Sequence, residues 1–339
     1  MEGLFENSCT FDFLNLAMTS LSESNNYRFE RLNASNIEDL PYVYEAAFGR
    51  KQSAQHFIRK NDTSLFGATN IGFIAYSESG EPAAFYCAYT CTVEYLGKQY
   101  KAAQIGDAMT HPGHQRKGLF KTLAQLTHET AKQEGIPYLF TFPNKSANSY
   151  PGFIKHQWIE TGGWQCYIIR VRGLSQKTVR KILPFSEAAY MSYCRFVISF
   201  FADKRGAFAN SVIDDQNGGV IRSEDFLNYK TYSPNFFIRL KGKAIWFSIR
   251  GNTLLIGDIE HCDEKTFQSV IVRLKSLTRL LGLGYIEFRC SAGIAMEKQF
   301  NAVKSWKYDN VKMALLYFNL DETFPGHAIK FTIADDDTF

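Results

Sequence analysis

One stretch carries most of the chemistry this chain can offer: Ile105-Gly-Asp-Ala-Met-Thr-His-Pro-Gly-His-Gln-Arg-Lys-Gly-Leu-Phe-Lys-Thr-Leu123. Its pattern predicts a strand ending at Thr110, a turn at Pro112 and Gly113, a polar loop, and a long helix opened by Gly118. A helix N-terminus leaves several N–H groups without partners and carries partial positive charge. Phosphate oxygens suit such a place. Gly118 has no side chain to hold them off, and Arg116 and Lys117 add cationic charge. The loop alone leaves two readings open: a diphosphate cradle, or an ordinary strand-to-helix turn with exposed cations. His111 and His114 read as exposed polar histidines.

The elements that must position this loop follow from hydrophobic spacing. Tyr27 to Leu32 reads as a strand. Ser35 and Asn36 offer caps for a helix through Phe48, and a second helix spans Gln52 to Arg59. Ile71 to Tyr76, Pro82 to Tyr95 and Gln99 to Met109 form an antiparallel meander. The helix Gly118 to Glu134 has Leu119, Leu123 and Leu126 at helical spacing, and Gly135 and Pro137 stop it. Tyr138 to Phe142 is a buried strand, Asn144 to Lys155 a short Pro-interrupted helix, and Trp158 to Val171 two closing strands. Beyond a basic, polar stretch the rhythm returns. Phe236 to Leu240, Ala244 to Ile249 and Leu254 to Ile259 are strands. Glu264 to Leu281 is a helix, Tyr285 to Cys290 a strand, Ala292 to Ala302 a helix and Val311 to Leu320 a last strand. Meander, helix, strand, helix, strand occurs twice, which suggests duplication. The expected division is an arm over 1–26, a domain over 27–172, a linker over 173–184 and a second domain over 185–339.

Composition narrows the function classes. The chain has 339 residues, 45% apolar, enough for two cores. A net charge of +4 with no long basic run argues against nucleic acid as a partner. Seven cysteines are scattered without CxxC or zinc spacing, so no metal site and a reducing compartment are expected. The first 26 residues lack a signal-peptide pattern, and no long apolar run suits a membrane span. The expectation is a cytoplasmic protein that does not bind membranes. GxGxxG is absent, which counts against a dinucleotide oxidoreductase.

Gln115-Arg-Lys-Gly118-Leu-Phe120 resembles the Q/R-x-x-G-x-G/A loop with which the GNAT superfamily (general-control-related N-acetyltransferases) binds the CoA pyrophosphate. Phe140-Thr-Phe-Pro-Asn144 and the stretch to Trp158 are similar to that family's next strand and helix. The likeness covers residues 27 to 172 and is strongest to bacterial proteins with a D-x-x-T-x-P-x-x-R-x-K-G-L-F loop. Gln115 stands at the Arg of that loop. Phe120 replaces the small last residue of the general loop. Phe153 stands where many members carry a Tyr general acid, and Gln157 replaces the usual glycine. Phe226-Leu-Asn-Tyr-Lys-Thr-Tyr232 resembles a stretch of tandem GNAT proteins. Asp335 to Phe339 resembles their C-terminal D-x-D-T-F, although its charge favours an acidic solvated tail.

The resemblance implies an α/β (α+β) fold: a GNAT-like mixed, mostly antiparallel sheet flanked by helices, followed by a second, degenerate GNAT-like domain. It implies acetyl-CoA as acyl donor and an amine as acceptor (an amino sugar, small amine or peptide), joined by direct attack in a ternary complex. Backbone groups of Ala108, Met109 and Thr110 would pair with the pantetheine arm. Those of Gln115, Arg116, Lys117, Gly118, Leu119 and Phe120 would hold the pyrophosphate. Asn144 would cap the short helix and reach the cofactor arm, and Phe153 would lie by the thioester with Phe140 and Phe142, favouring acetyl over long chains. Asp107 is the candidate base, its pKa expected to rise in an apolar run. Tyr150, a helical turn before Phe153, is the nearest substitute acid. The second half lacks the loop and opens its helix with Asp263 and Glu264, which repel a diphosphate. Competing readings are a non-catalytic CoA-binding sensor or scaffold, and a Fem-type aminoacyl transferase.

Overall fold

A computed structural model describes residues 26–171 and 187–339. The expected arm, apart from Asn26, and the expected linker lie outside the described residues. The chain forms two compact units, Met1–Thr90 with Ala103–Ile136, and Cys91–Ala102 with Pro137–Phe339.

The first unit contains strand β1 (Tyr27–Arg31), helices α1 (Leu40–Phe48) and α2 (Ala54–Asn61), and strand β2 (Ile71–Ser77). The long strands β3 (Pro82–Tyr95) and β4 (Lys98–Thr110) contribute their open ends, and helix α3 (Leu119–Gln133) follows. β1 pairs with β2 and β2 with β3, both antiparallel. Side chains alternate across a strand, and β3 uses both faces. Phe85, Cys87 and Tyr89 join Leu40 and Val43 of α1, Phe57 of α2 and Met109 of β4 in one core cluster. Tyr86, between them in sequence, meets Phe120 and His128 of α3. With both faces covered, β3 reads as a continuous apolar run. The expected Ser or Asn cap on α1 is absent. Asp39 precedes that helix and makes no side-chain cap bond. Ser53 does cap α2, accepting from His56 N.

The second unit continues with β5 (Tyr138–Thr141), α4 (Tyr150–Lys155), β6 (Ile159–Arg170), α5 (Glu187–Ser199) and β7 (Gly219–Val220). Then come α6 (Glu224–Tyr229), β8 (Phe236–Leu240), β9 (Lys243–Arg250), β10 (Thr253–Ile259) and α7 (Glu264–Leu280). β11 (Tyr285–Cys290), α8 (Met296–Ala302) and β12 (Trp306–Asn319) follow, with two 3₁₀ turns after them. Its sheet runs β5-β12-β6-β11-β10-β9-β8. Among these described neighbours β10 pairs parallel with β11, the crossover that α7 makes possible. The final strand β12 lies between β5 and β6 and pairs antiparallel with both. Trp158 to Val171 is therefore one strand rather than two. β6 stays paired through two register shifts along β12, which absorb the irregularity expected to break it.

Two helices start later than their sequence suggests. Asn144 bridges to Met313 and its Oδ1 accepts from Ser146 N, so the chain there is a turn against β12 and helix begins only at Tyr150. Gly293 takes φ +86°, which delays α8 to Met296.

The C-terminal residues are not a solvated tail. Asp335 and Asp336 are buried, and Phe339 is 1% exposed. The Arg222 guanidinium donates to Asp258, Asp335 and Thr332. Lys230 Nζ donates to Asp336 O at 2.6 Å and Tyr232 Oη to Asp337 O at 3.0 Å. Phe339 packs edge-on against Trp246. The motif Phe226–Tyr232 and the C-terminal motif thus bind one another. Buried charges persist when paired and fully hydrogen-bonded.

Candidate active site

The glycine loop is built as a helix start without a cap. After β4 a single 3₁₀ turn, Pro112–His114, leads to Gln115. Arg116 and Gly118 then take positive φ, 62° and 79°. Gly118 is the N-cap of α3 and, having no side chain, makes no side-chain cap bond to the first helical amides. Those amides are the groups a helix leaves without intrahelical partners. Gln115, Arg116, Lys117 and Gly118 are exposed, Leu119 is buried and Phe120 half-buried. The Phe120 ring meets Tyr86 at 5.4 Å, so its bulk lies against the sheet. Arg116 and Lys117 have no ion-pair partner among the described residues. They line an open depression of about 780 Å³ with Asn26, Tyr27, Ser77, Glu78 and Ser79. An uncapped helix start at a glycine, with two cations that have no ion-pair partner beside it, is an arrangement that suits a diphosphate.

The two histidines beside this loop are engaged rather than free. His114 Nδ1 meets Tyr27 Oη at 2.8 Å, and its Nε2 lies 3.9 Å from Glu81. His111 Nδ1 accepts from Gly113 N, and its ring stacks on Tyr42. Tyr42 donates to Glu81, and that bond, more than the histidines, holds the Glu81 carboxyl below its ordinary range.

Asp107 sits where β4 loses its regularity. Its φ of +46° marks a strand irregularity that re-aims the side chain. Oδ2 accepts from Lys60 Nζ at 2.8 Å and from Tyr89 Oη at 2.5 Å. The Lys60 ammonium also lies 4.8 Å from the centre of the Tyr89 ring. Side-chain exposure is 4% for Lys60 and 11% for Asp107. The expected rise in the Asp107 pKa is overturned. Burial does push it up, but the Lys60 ammonium, the bonds from Lys60 and Tyr89, and the charge of His56 together outweigh burial and hold it below its ordinary value. Sequence reasoning missed Lys60 and Tyr89. Lys60 follows the inward-facing Phe57 by three residues, so both belong to one helix face, and that spacing was the available signal. Beyond Asp107, Ala108 and Thr110 are half-buried and Met109 is buried.

The remaining candidates belong to the second unit. Tyr150 opens α4 and donates to Glu160 Oε2 at 2.6 Å. Lys145 pairs with the other oxygen of Glu160. The bond to Glu160 is the main reason the Tyr150 pKa stands above its ordinary value. Burial raises the Glu160 pKa, and the bonds from Lys145 and Tyr150 more than reverse this. Sequence reasoning missed Glu160. Phe153 is 2% exposed and packs edge-on against Trp158. Phe140 and Phe142 are buried with Phe331. Asn144 holds a turn through Ser146 rather than capping α4. No group of His, Cys, Asp and Glu suited to a metal ion occurs among the described residues.

Residues 28–153 match the family model for the acetyltransferase (GNAT) domain. The chain therefore carries a GNAT-type acyltransferase domain, and the loop, Asp107 and Tyr150 fall within it. Its fold is similar to a conserved protein of unknown function from Enterococcus faecalis V583, described as a probable N-acyltransferase. The TM-score is 0.58 at 12% identity, over 87% of this chain and 73% of that one. It is also similar to a GCN5-related N-acetyltransferase from Kribbella flavida, with TM-score 0.54 and 12% identity over 88% and 72%. Saccharomyces cerevisiae N-myristoyltransferase with bound myristoyl-CoA gives TM-score 0.50 and 11% identity over 87% and 83%. At these identities the likeness is one of fold. No curated protein matches the chain.

Proposed function

We propose that this protein transfers an acyl group, acetyl in the first instance, from acyl-CoA to an amine by direct attack within a ternary complex. The observation that carries this reading is the exposed, uncapped start of α3 at Gly118, flanked by unpaired Arg116 and Lys117, inside the segment that matches the GNAT family. Backbone groups of Gln115 to Phe120 hold the diphosphate, and those of Ala108 to Thr110 hold the pantetheine arm. Asp107 is the carboxylate on the acceptor side. Tyr150 is the acid that serves the departing sulfur, releasing Glu160 to do so. The buried Phe140, Phe142 and Phe153 support a short acyl chain, whereas the fold likeness to an N-myristoyltransferase makes the long chain the comparison to test. The six described cysteines are free and buried, in keeping with a cytoplasmic protein. The second half, with its related element order, is read as a degenerate GNAT-like copy of the tandem subgroup.

One observation favours a second reading. A carboxylate held ionised by a buried lysine is a weak base, which suits a CoA-binding sensor that does not turn over.

Calorimetric titration of acetyl-CoA and myristoyl-CoA, with NAD as control, tests the donor site. Gly118→Asp puts a carboxylate in the cradle at a φ that favours glycine, and is expected to weaken acyl-CoA binding about 100-fold or more. Failure of both acyl-CoAs to bind at about 1 mM, which corresponds to only about 4 kcal/mol, sinks the acyltransferase reading. Binding without amine-dependent CoA release favours the sensor.

A further inference from the structure

Asp107 uses its two oxygens unequally. Both recorded bonds, from Lys60 and from Tyr89, end on Oδ2. No other hydrogen bond to the Asp107 side chain occurs among the described residues. Among the described residues the charged and titratable groups facing it are Lys60 and His56 of α2 and Tyr89 of β3, with Cys87 of β3 bonding the adjacent Gly106 carbonyl. A lysine this deeply buried is costly unless it is paired. The last turn of a helix, where Lys60 sits, is also where a cation is favoured. A strand residue at positive φ, a buried ammonium and a phenol converge on one carboxylate oxygen, and the carboxylate keeps a small opening to solvent.

We propose that Lys60 and Tyr89 are positioning residues that clamp Oδ2 of Asp107 so that Oδ1 receives the ammonium of a cationic amine acceptor. This rests on the acyltransferase reading and refines it: Asp107 anchors the acceptor and does not store its proton. The acceptor is thereby a primary amine carried as its ammonium form. It gives up one proton to solvent before attack. Its nitrogen then bonds to the thioester carbonyl carbon, the carbon–sulfur bond breaks, and the second amine proton goes to the departing sulfur. Neutral hydroxyl acceptors gain nothing from such an anchor.

Aspartate carboxyl-carbon NMR on protein labelled with ¹³C at Asp Cγ tests the clamp without needing turnover, with Asp107→Asn assigning the signal. In the parent, the Asp107 carboxyl stays ionised to below the ordinary value of about 3.9. In Lys60→Met the burial cost is left unopposed, and the signal is expected to titrate well above that value. Lys60→Arg keeps the charge and is expected to restore much of the parent behaviour. If Lys60→Met does not fold, Tyr89→Phe carries the same titration with a smaller upward shift. With an amine that is turned over, Lys60→Met is expected to lower kcat/KM for the amine about 100-fold at pH 7. The acid limb of that profile moves upward and acyl-CoA binding is unchanged. An Asp107 signal that titrates as in the parent in every folded variant overturns the clamp. So does an equal loss of amine and acyl-CoA affinity. Absence of turnover with every amine tried removes the acyltransferase reading, while the carboxyl titration still decides the clamp.

Discussion

Two carboxylate clusters, one in each unit, use the same interaction for different ends. In the second unit Arg222 and its partners Asp258 and Asp335 have fully buried side chains. The guanidinium spends its N–H groups on Asp258, Asp335 and Thr332 and lies over the rings of Phe226 and Trp246. Thr332 N in turn donates to Asp335, closing a capping box. Asp335 is left no outward-facing role. In the first unit Lys60 is almost as buried, but its partner Asp107 keeps one oxygen unbonded and part of its surface open. The difference separates an ion pair that fastens a chain end from one that prepares a carboxylate to meet something else. Their pKa shifts diverge in the same sense. Burial pushes Asp258 up more than the Arg222 charge and its bond pull it down. Asp107, beside the Lys60 ammonium and with a phenol donor, is held down.

The largest expected effect breaks the sealed cluster. Arg222→Met leaves Asp258 and Asp335 without their cation, and truncating a buried pair costs about 3–5 kcal/mol. Urea unfolding should show it as a lower midpoint with the second unit's signals lost first. A change under about 1 kcal/mol would mean that the cluster contributes little to stability. Next comes Phe339→Ala. Phe339 fills the space over Gly257, where an added Cβ would lie 2.2 Å from its Cζ. Removing the ring should cost about 3 kcal/mol. Gly257→Ala, which expels the ring without deleting it, should cost a similar amount if ring and glycine are one device. For Asp107 the sign differs from a simple buried acid. Its folded pKa is depressed, so its contribution is present above its unfolded pKa, about 3.9, and is lost as pH falls through the folded value. Asp107→Asn should therefore flatten the acid limb of the stability profile.

Much of the first unit is visible in sequence because it is built from local signals. The meander, the turn glycines and the apolar stripe of α3 each sit within a few residues of one another. The glycine loop is legible for the same reason: Gly118 and its neighbours Arg116 and Lys117 are consecutive. What the sequence hides is long-range. Lys60 reaches Asp107 across 47 residues, and without it an acid in an apolar strand is expected to have a raised pKa rather than a lowered one. The irregularity at Asp107 also breaks strand alternation, so counting by twos cannot assign its face. The C-terminal acids look solvated because net charge is read locally, whereas Arg222 meets Asp335 from 113 residues away. The single strand β6 is hidden because its partner β12 lies at the far end of the chain.

The smallest expected effect comes from a third carboxylate, Glu160, which marks the exposed limit of the comparison. Its side chain is 26% exposed and that of Lys145 is 35%. Exposed pairs of this kind are worth at most about 1 kcal/mol. Glu160→Gln should therefore leave stability within about 1 kcal/mol of the parent. Its consequence should appear at Tyr150 instead. The bond to Glu160 is the main cause of the raised Tyr150 pKa, so the substitution should bring that pKa down toward the ordinary value of about 10. A phenol with raised pKa stays neutral to higher pH, so the alkaline limb of kcat belongs to its ionisation if Tyr150 is the acid. In Glu160→Gln that limb should move to lower pH, and in Tyr150→Phe it should vanish together with about 100-fold of the rate. If Tyr150→Phe keeps the parent profile, the hydroxyl only anchors Glu160, and the second amine proton reaches the departing sulfur without it.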